Sequence, residues 1–550
     1  MARRRGRQRR SQGDGGNRKS GMDRIGEDVL QNILGRLPAL SFASAACVCR
    51  SWNSVCNRVL NGPKLSSALS LNDSLEVAVT EVVDKVLSEP LRPHFAIACI
   101  SPLFCLNLAH ELITGKLGSR IPVVTYESKG IIGRDAVTNK FEEVQWYIED
   151  QEDPGTQVGS LFQNVISGIL LTVGYLPGLK VDAVPLLQTT KDLDSRVPLV
   201  DKFVMDIKEY TTSISGCTPP VGIIMFGDPA INMTSILEKM DYAMPLDTFI
   251  VGDECCRFRY RCQGDFGHTT QTGTRSSVAV ALLFLRDRNK SHGIGDIEFH
   301  FALSTGLSPL GPKFKAATVR ERRKESLTWL TARREQSHVI LDGQTMLDDI
   351  NDELTQHLAD GIEYPVLYIG VTKRRKYSVG LEKVKWMTSL TFHEITGGDE
   401  EYLFVYGNDI KTGDSFRIYY SDPRFALSTC ANIRENFSHM KQDWDRGSLH
   451  GTTRADTNGV KKEAFGGFVF SCCGRGEGFF GCLGTDSSPL HGNFPEIPIA
   501  GTFCSGEIGR SSSRLYIGEA EEQGPAAQCC LHGYSTVYLL MTYTPAQPQH

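Results

Sequence analysis

The run Cys472-Cys473-Gly474-Arg475-Gly476-Glu477-Gly478-Phe479-Phe480-Gly481 sets one guanidinium in a glycine-rich turn directly after the apolar stretch Gly467–Cys472. A strand running into such a turn lets backbone N–H groups approach an anion, and an arginine there adds a bidentate, charge-assisted contact to a carboxylate or phosphate. A dinucleotide fingerprint would need glycine at Phe479, and no phosphate loop of the form G-x-x-x-x-G-K-[ST] occurs. The chemistry that remains is capture of a small polar ligand, by Cys472, Gly474 and Arg475 from this block and Gly506 and Glu507 from a second. An ion pair between Arg475 and Glu507 is the structural alternative.

The thiols raise a second question. Cysteines at 255, 256 and 262, and at 472, 473 and 482, form no C-x-x-C knuckle, so neither set reads as a zinc site. A thiolate at Cys472 or Cys473 would gain reactivity if Arg475 lowered its pKa. No G-x-S-x-G elbow is evident, and His393-Glu394 does not continue into H-E-x-x-H. The chain therefore calls for no metal and no cofactor, and an enzyme built on Cys472 or Cys473 with a histidine is the third reading.

The elements that must hold these residues are mixed. Leu75–Leu87 carries apolar residues at helical spacing, and Phe95–Ile100 has the length and composition of a buried strand. Further strands are expected at Val221–Phe226, Thr248–Val251, Val278–Leu285, Val366–Val371, Leu403–Tyr406 and Gly467–Cys472, with surface loops at Glu149–Thr156, Asp287–Asp296 and Arg446–Lys462. Leu103, Leu106 and Leu108 begin a leucine-rich spacing that stops at once, whereas a solenoid needs about three stacked repeats.

Composition bounds the classes. The 550 residues are 41% hydrophobic and 22% charged, the mixture of folded globular domains, and the formal net charge of -5 lacks the basic field that holds a nucleic-acid backbone. Arg3, Arg4, Arg5, Arg7, Arg9, Arg10, Arg18 and Lys19 form a basic tail with almost no apolar residues, either a solvated segment or a nuclear-import signal. Neither a secretory leader nor a bilayer-length apolar run is expected, so no membrane partner is called and the place is cytoplasmic, nuclear or both. The 16 cysteines, spread over this length, read as mostly free thiols.

After the tail, Ile25, Val29, Leu30, Ile33, Leu34 and Leu37 recur at helical spacing until Pro38 closes the helix. Leu40, Phe42, Val48, Trp52 and Val55 follow at spacings suited to two more packed helices. This pattern resembles an F-box, with Leu37-Pro38 and Val48-Cys49-Arg50-Ser51-Trp52 carrying the likeness. Gly26 departs from it where proline is usual, and Ser41-Phe42 where Asp-Leu is common. The resemblance implies docking to a Skp1-like adaptor and, through it, the cullin of an SCF ubiquitin ligase. The expected adaptor-binding residues are Ile25, Val29, Leu30, Ile33, Leu34, Leu37, Pro38, Leu40 and Trp52.

Two later regions resemble the FIST family of ligand-sensing modules. Gly306-Leu-Ser-Pro309-Leu-Gly311-Pro312, followed by Val339-Ile-Leu-Asp342-Gly343, is similar to the junction between its N- and C-terminal parts. Phe470–Gly476, Gly501–Gly509 and Leu531-His532-Gly533-Tyr534 are similar to its C-terminal part. The implied fold class is α+β, a small all-helical F-box followed by a large mixed α/β two-part FIST body. The expected organisation is a tail at 1–21, F-box at 22–62, linker at 63–72, FIST N-terminal domain at 73–335 and C-terminal domain at 336–545. The implied function is a non-catalytic substrate receptor that presents an unidentified protein cargo; a sensor of an amino acid or metabolite is the alternative.

Overall fold

The computed structural model describes residues 26–146, 167–189, 196–216, 219–263, 275–357, 365–380, 383–449, 462–512 and 528–546. The basic tail, Ile25 and the loop expected at Glu149–Thr156 lie outside these residues. The chain divides into two compact units, one formed by its first 61 residues with Leu87–Leu91 and the other by the remainder.

Three short helices build the first unit: α1 (Glu27–Leu34), α2 (Ala39–Ala46) and α3 (Arg50–Val59). None could bury its apolar stripe alone at this length, since helices this short owe their stability to tertiary packing. Leu30 and Leu34, one turn apart on α1, meet Phe42 and Ala45 of α2 and Val55 and Cys56 of α3. Pro38, at φ -56° and ψ 152°, stands at the start of α2, where its missing N–H costs no helical bond. The α3 start is capped by sulfur, Cys49 Sγ accepting from the Trp52 N–H at 3.5 Å.

The segment expected as a linker is a strand. Lys64–Ser70 pairs antiparallel with Ile169–Tyr175 and buries Leu65, Ala68 and Leu69. Two of its serines have side-chain partners: Ser67 Oγ lies 3.0 Å from Thr172 Oγ1 across the sheet, and Ser70 Oγ donates to Glu81 of the helix Leu75–Val86 at 2.6 Å. Serine-rich composition suggests a solvated loop, but small hydroxyls with partners fit a pleated interior equally well.

Among the described residues the body holds three sheets of five, twelve and six strands. The expected strands appear as Phe95–Ile100, Gly222–Gly227, Phe249–Asp253, Arg275–Arg286, Leu367–Tyr377, Leu403–Tyr406 and Glu463–Cys472, and Leu75–Val86 is helical. The expected loop at Arg446–Lys462 is corrected at its start, because Pro423–Leu449 is one helix; residues 450–461 lie outside the described set. Strands from before and after residue 336 share the six- and twelve-stranded sheets. Gly130–Arg134 pairs with Ile499–Cys504, and Phe249–Asp253 with Glu507–Ser512. The two expected halves of the body are thus interwoven.

Half of the twelve-stranded sheet closes on itself. Leu367–Tyr377 pairs on one side with Ser415–Ser421 and on the other with Lys385–Gly398, completing a six-stranded ring with Leu307–Arg322, Leu327–Arg334 and Leu403–Tyr406. Inward side chains such as Phe314, Leu330, Val371, Ile395, Val405 and Phe416 pack with Met346, Ile350 and Leu354 of the helix Gly343–His357. Closure removes the edges that would otherwise recruit other strands.

Candidate functional site

The sequence-expected residues fall into two places, one in each unit. On α1 the apolar positions divide into two stripes. Leu30 and Leu34 turn inward, Leu34 with no exposure at all, while Val29 and Ile33 face solvent at 56% and 47% exposure. On and beyond α2, Leu40 is 72% and Val48 64% exposed, and Pro38 is exposed as well. Leu37 and Trp52 are partly buried against the unit's own core.

This corrects the assignment of Leu30 and Leu34 as adaptor-facing residues. Their side chains are consumed in closing the three-helix core, and a partner cannot reach a side chain with no accessible surface. Val48, quoted in the sequence motif but not counted among the binding residues, belongs on the exposed set. The signal was its place between two helices, where no neighbour covers it. Val29, Ile33, Leu40 and Val48 thus stay exposed on a unit whose core forms without them. The ion pair between Arg58 and Glu27 ties α3 to α1 at 2.8 Å, but both groups are largely solvated and it adds little stability.

The second place is the glycine-rich turn, and here too the structure changes the reading. Arg475 does not point at a ligand and does not pair with Glu507. Its guanidinium is completely buried against Asp486, N to O 2.8 Å, and donates also to the Tyr534 carbonyl at 3.0 Å, Ser304 Oγ at 3.1 Å and Cys430 Sγ at 3.2 Å. Asp486 in turn accepts from Thr536 Oγ1 at 2.8 Å. Asp486 lies eleven positions on in the chain, a separation that gave no periodic or motif signal.

The turn itself is pinned rather than open. Gln145 Nε2 donates to the carbonyls of Cys473 and Arg475 at 3.0 Å each, and Glu143 accepts the N–H groups of Gly484 and Ser487 at 2.9 Å each. The glycines answer to packing. A Cβ on Gly474 would stand 2.8 Å from the Tyr534 ring, and one on Gly506 would collide with the Glu254 side chain.

Glu507 is fully buried, its Oε2 accepting from Ser535 Oγ at 2.9 Å. Burial holds this carboxyl well above its ordinary pKa. It sits opposite Asp253 in antiparallel register, and burial likewise lifts Asp253 to about 7. Arg475 and Glu507 are therefore brought to the same turn, Tyr534–Thr536, without meeting each other.

The thiol pair departs from expectation in its cause. Cys473 is held down to about 7 first by a hydrogen bond from the neighbouring Cys472 thiol, with help from Lys129 against the cost of burial. Arg475 has no part in it. Cys473 is solvent-exposed and Cys472 only partly so. At pH 7.5 Cys473 should therefore react with iodoacetamide several-fold faster than it does in a Cys472→Ala chain, which loses the hydrogen bond that holds its thiol down. Peptide mapping of a time course checks this, and equal rates would remove the assigned activation.

Among the described residues no cluster of three or more His, Cys, Asp or Glu stands in metal-holding geometry, and no described helix is long and apolar enough to cross a membrane.

Comparison with known proteins agrees with this division into units. Residues 22–64 match the F-box domain and residues 346–510 the FIST C domain. An Arabidopsis thaliana protein described as an F-box/LRR-repeat protein is 40% identical over 527 residues, covering 94% of this chain and 93% of its own length. The described residues of the present body do not stack as a solenoid; their strands pair mostly antiparallel in three sheets.

Proposed function

This chain belongs to the F-box protein family, with a FIST C domain in its body, and on that premise we propose that it is the substrate-recognition subunit of an SCF-type E3 ubiquitin ligase. In this role the helical unit docks a Skp1-like adaptor and through it the cullin, and the body binds a protein cargo for ubiquitination and proteasomal degradation. The observation that carries the reading is the outward apolar set Val29, Ile33, Leu40 and Val48. A small helical unit binds tightly when a few such anchors enter a partner groove. No bond-making is asked of the chain. It raises the effective concentration of cargo beside a ubiquitin-conjugating enzyme and fixes its orientation.

The small-ligand reading needs a cation that Arg475 no longer supplies, since its guanidinium is spent on Asp486. What remains of that site is the buried carboxyl of Glu507, itself held by Ser535. The enzyme reading is not favoured either, because the side-chain partner of Cys473 is another thiol, Cys472, rather than an imidazole.

Affinity purification of the full chain followed by mass spectrometry tests the proposal. The expected result is co-recovery of a Skp1-type adaptor and a cullin. Recovery of neither, from material whose helical unit melts cooperatively, would overturn it.

A further inference from the structure

On the closed six-stranded ring, the hairpin formed by Leu367–Tyr377 and Lys385–Gly398 carries a cationic surface on one end. Arg374 and Lys376 stand exposed two residues apart, hence on the same face of their strand. Trp386 lies directly across from Lys376 in register and is 57% exposed. The Arg374 guanidinium sits 5.2 Å from the centre of the indole and the Lys376 ammonium 5.1 Å from it. Lys383 and Lys385 are exposed as well, but Lys385 stands across from the buried Tyr377 and so on the other face of its strand, while Val384, two residues before Trp386, is 59% exposed. Among the described residues none of the four cations has a carboxylate within ion-pair reach.

This end of the hairpin is held in place. The Tyr242 hydroxyl donates to the Lys383 carbonyl at 2.9 Å, and the Tyr377 hydroxyl donates to the buried Glu238 at 2.6 Å. These two bonds tie Lys383 and Tyr377, beside the surface, to the helix Thr234–Ala243.

We propose that this hairpin surface is a docking site for an acidic peptide segment bearing apolar residues, its carboxylates meeting Arg374 and Lys376 and its apolar side chains packing on the exposed part of Trp386 and on Val384. The proposal rests on the reading of the body as the cargo-binding part and names the chemistry of the cargo. Charge complementarity selects the occupant: two exposed cations, neither with a carboxylate in ion-pair reach among the described residues, flank one indole on a chain whose net charge is -5. A half-exposed tryptophan beside an arginine is also the composition of interface hot spots. Single-stranded nucleic acid, the other polyanion that could meet two cations beside an aromatic ring, is told apart by the oligouridine comparison.

The test is fluorescence anisotropy on the full chain with a fluorescein-labelled peptide of repeated Glu-Asp-Leu triplets. A peptide of Lys-Ser-Leu triplets and a labelled oligouridine serve as comparisons. Binding of the acidic peptide is expected, weakening with added salt. It should fall at least about tenfold in Arg374→Glu with Lys376→Glu, since each reversal replaces an attraction by a repulsion, and at least about threefold in Trp386→Ala. Equal binding by the charge-reversed chain, unchanged binding by Trp386→Ala, or preference for oligouridine would each overturn the proposal. An Ile33→Glu and Leu40→Glu chain should bind the acidic peptide as the unmodified one does, so that loss of adaptor docking and loss of this surface are read separately.

Discussion

The chain carrying Ile33→Glu together with Leu40→Glu should lose at least about 100-fold in affinity for a purified Skp1-type adaptor while its helical unit keeps its melting behaviour. Each position gives up an apolar anchor worth about 1.5–3 kcal/mol when buried. Each also brings a carboxylate that a partner groove would have to desolvate. Both positions are solvent-exposed in the free unit, at 47% and 72%, and glutamate is a good helix former, so neither change disturbs the core of Leu30, Leu34, Phe42, Ala45, Val55 and Cys56. Substituting Leu34 by aspartate would also abolish docking, for a different reason. It places a charge at a position with no accessible surface and unfolds the unit that presents the anchors. Titration calorimetry with the adaptor, beside hydrogen exchange over residues 27–59, separates the two cases. Unchanged affinity in the doubly substituted chain would show that the outward face is not the docking face.

The other large effect belongs to the buried ion pair. Arg475→Met should destabilise the body by about 3–5 kcal/mol, because it leaves the Asp486 carboxylate buried with Thr536 as its remaining donor. Asp486→Asn should cost a comparable amount by stranding the guanidinium. The two changes made together should cost clearly less than their sum, since each removes the charge the other would leave unpaired. Urea unfolding followed by near-UV circular dichroism reads all three. If Arg475→Met left the midpoint where it was, the guanidinium would be free to address a ligand and the original reading of the glycine-rich turn would return.

Much of this was legible in the chain. The seven apolar runs became strands and Leu75–Val86 a helix because their periodicity is a local property of the sequence. The helical unit was legible from Leu37-Pro38 and the Trp52 region, as was the presence of a large mixed body behind it. Lys64–Ser70 was misread because a strand satisfied by serine hydroxyls has the composition of a loop until its partners, Thr172 and Glu81, are known. The hairpin surface around Trp386 gave no signal either, since alternating basic residues read as an ordinary solvated strand face.

What the sequence by itself determined is the helix or strand character of its periodic apolar runs, the helical unit ahead of the mixed body, and the family to which the chain belongs. These follow from residue type, spacing and short motifs, and need no knowledge of distant neighbours. Tertiary structure alone decided which way each functional side chain faces. Leu34 and Ile33 are adjacent and chemically alike, yet one is core and the other surface, because the direction of the helix's inner face is fixed by where α2 and α3 pack. Arg475 reads as a ligand contact until Asp486 and Tyr534 are folded against it. Burying a guanidinium demands a counter-charge, and only the fold shows which carboxylate answers.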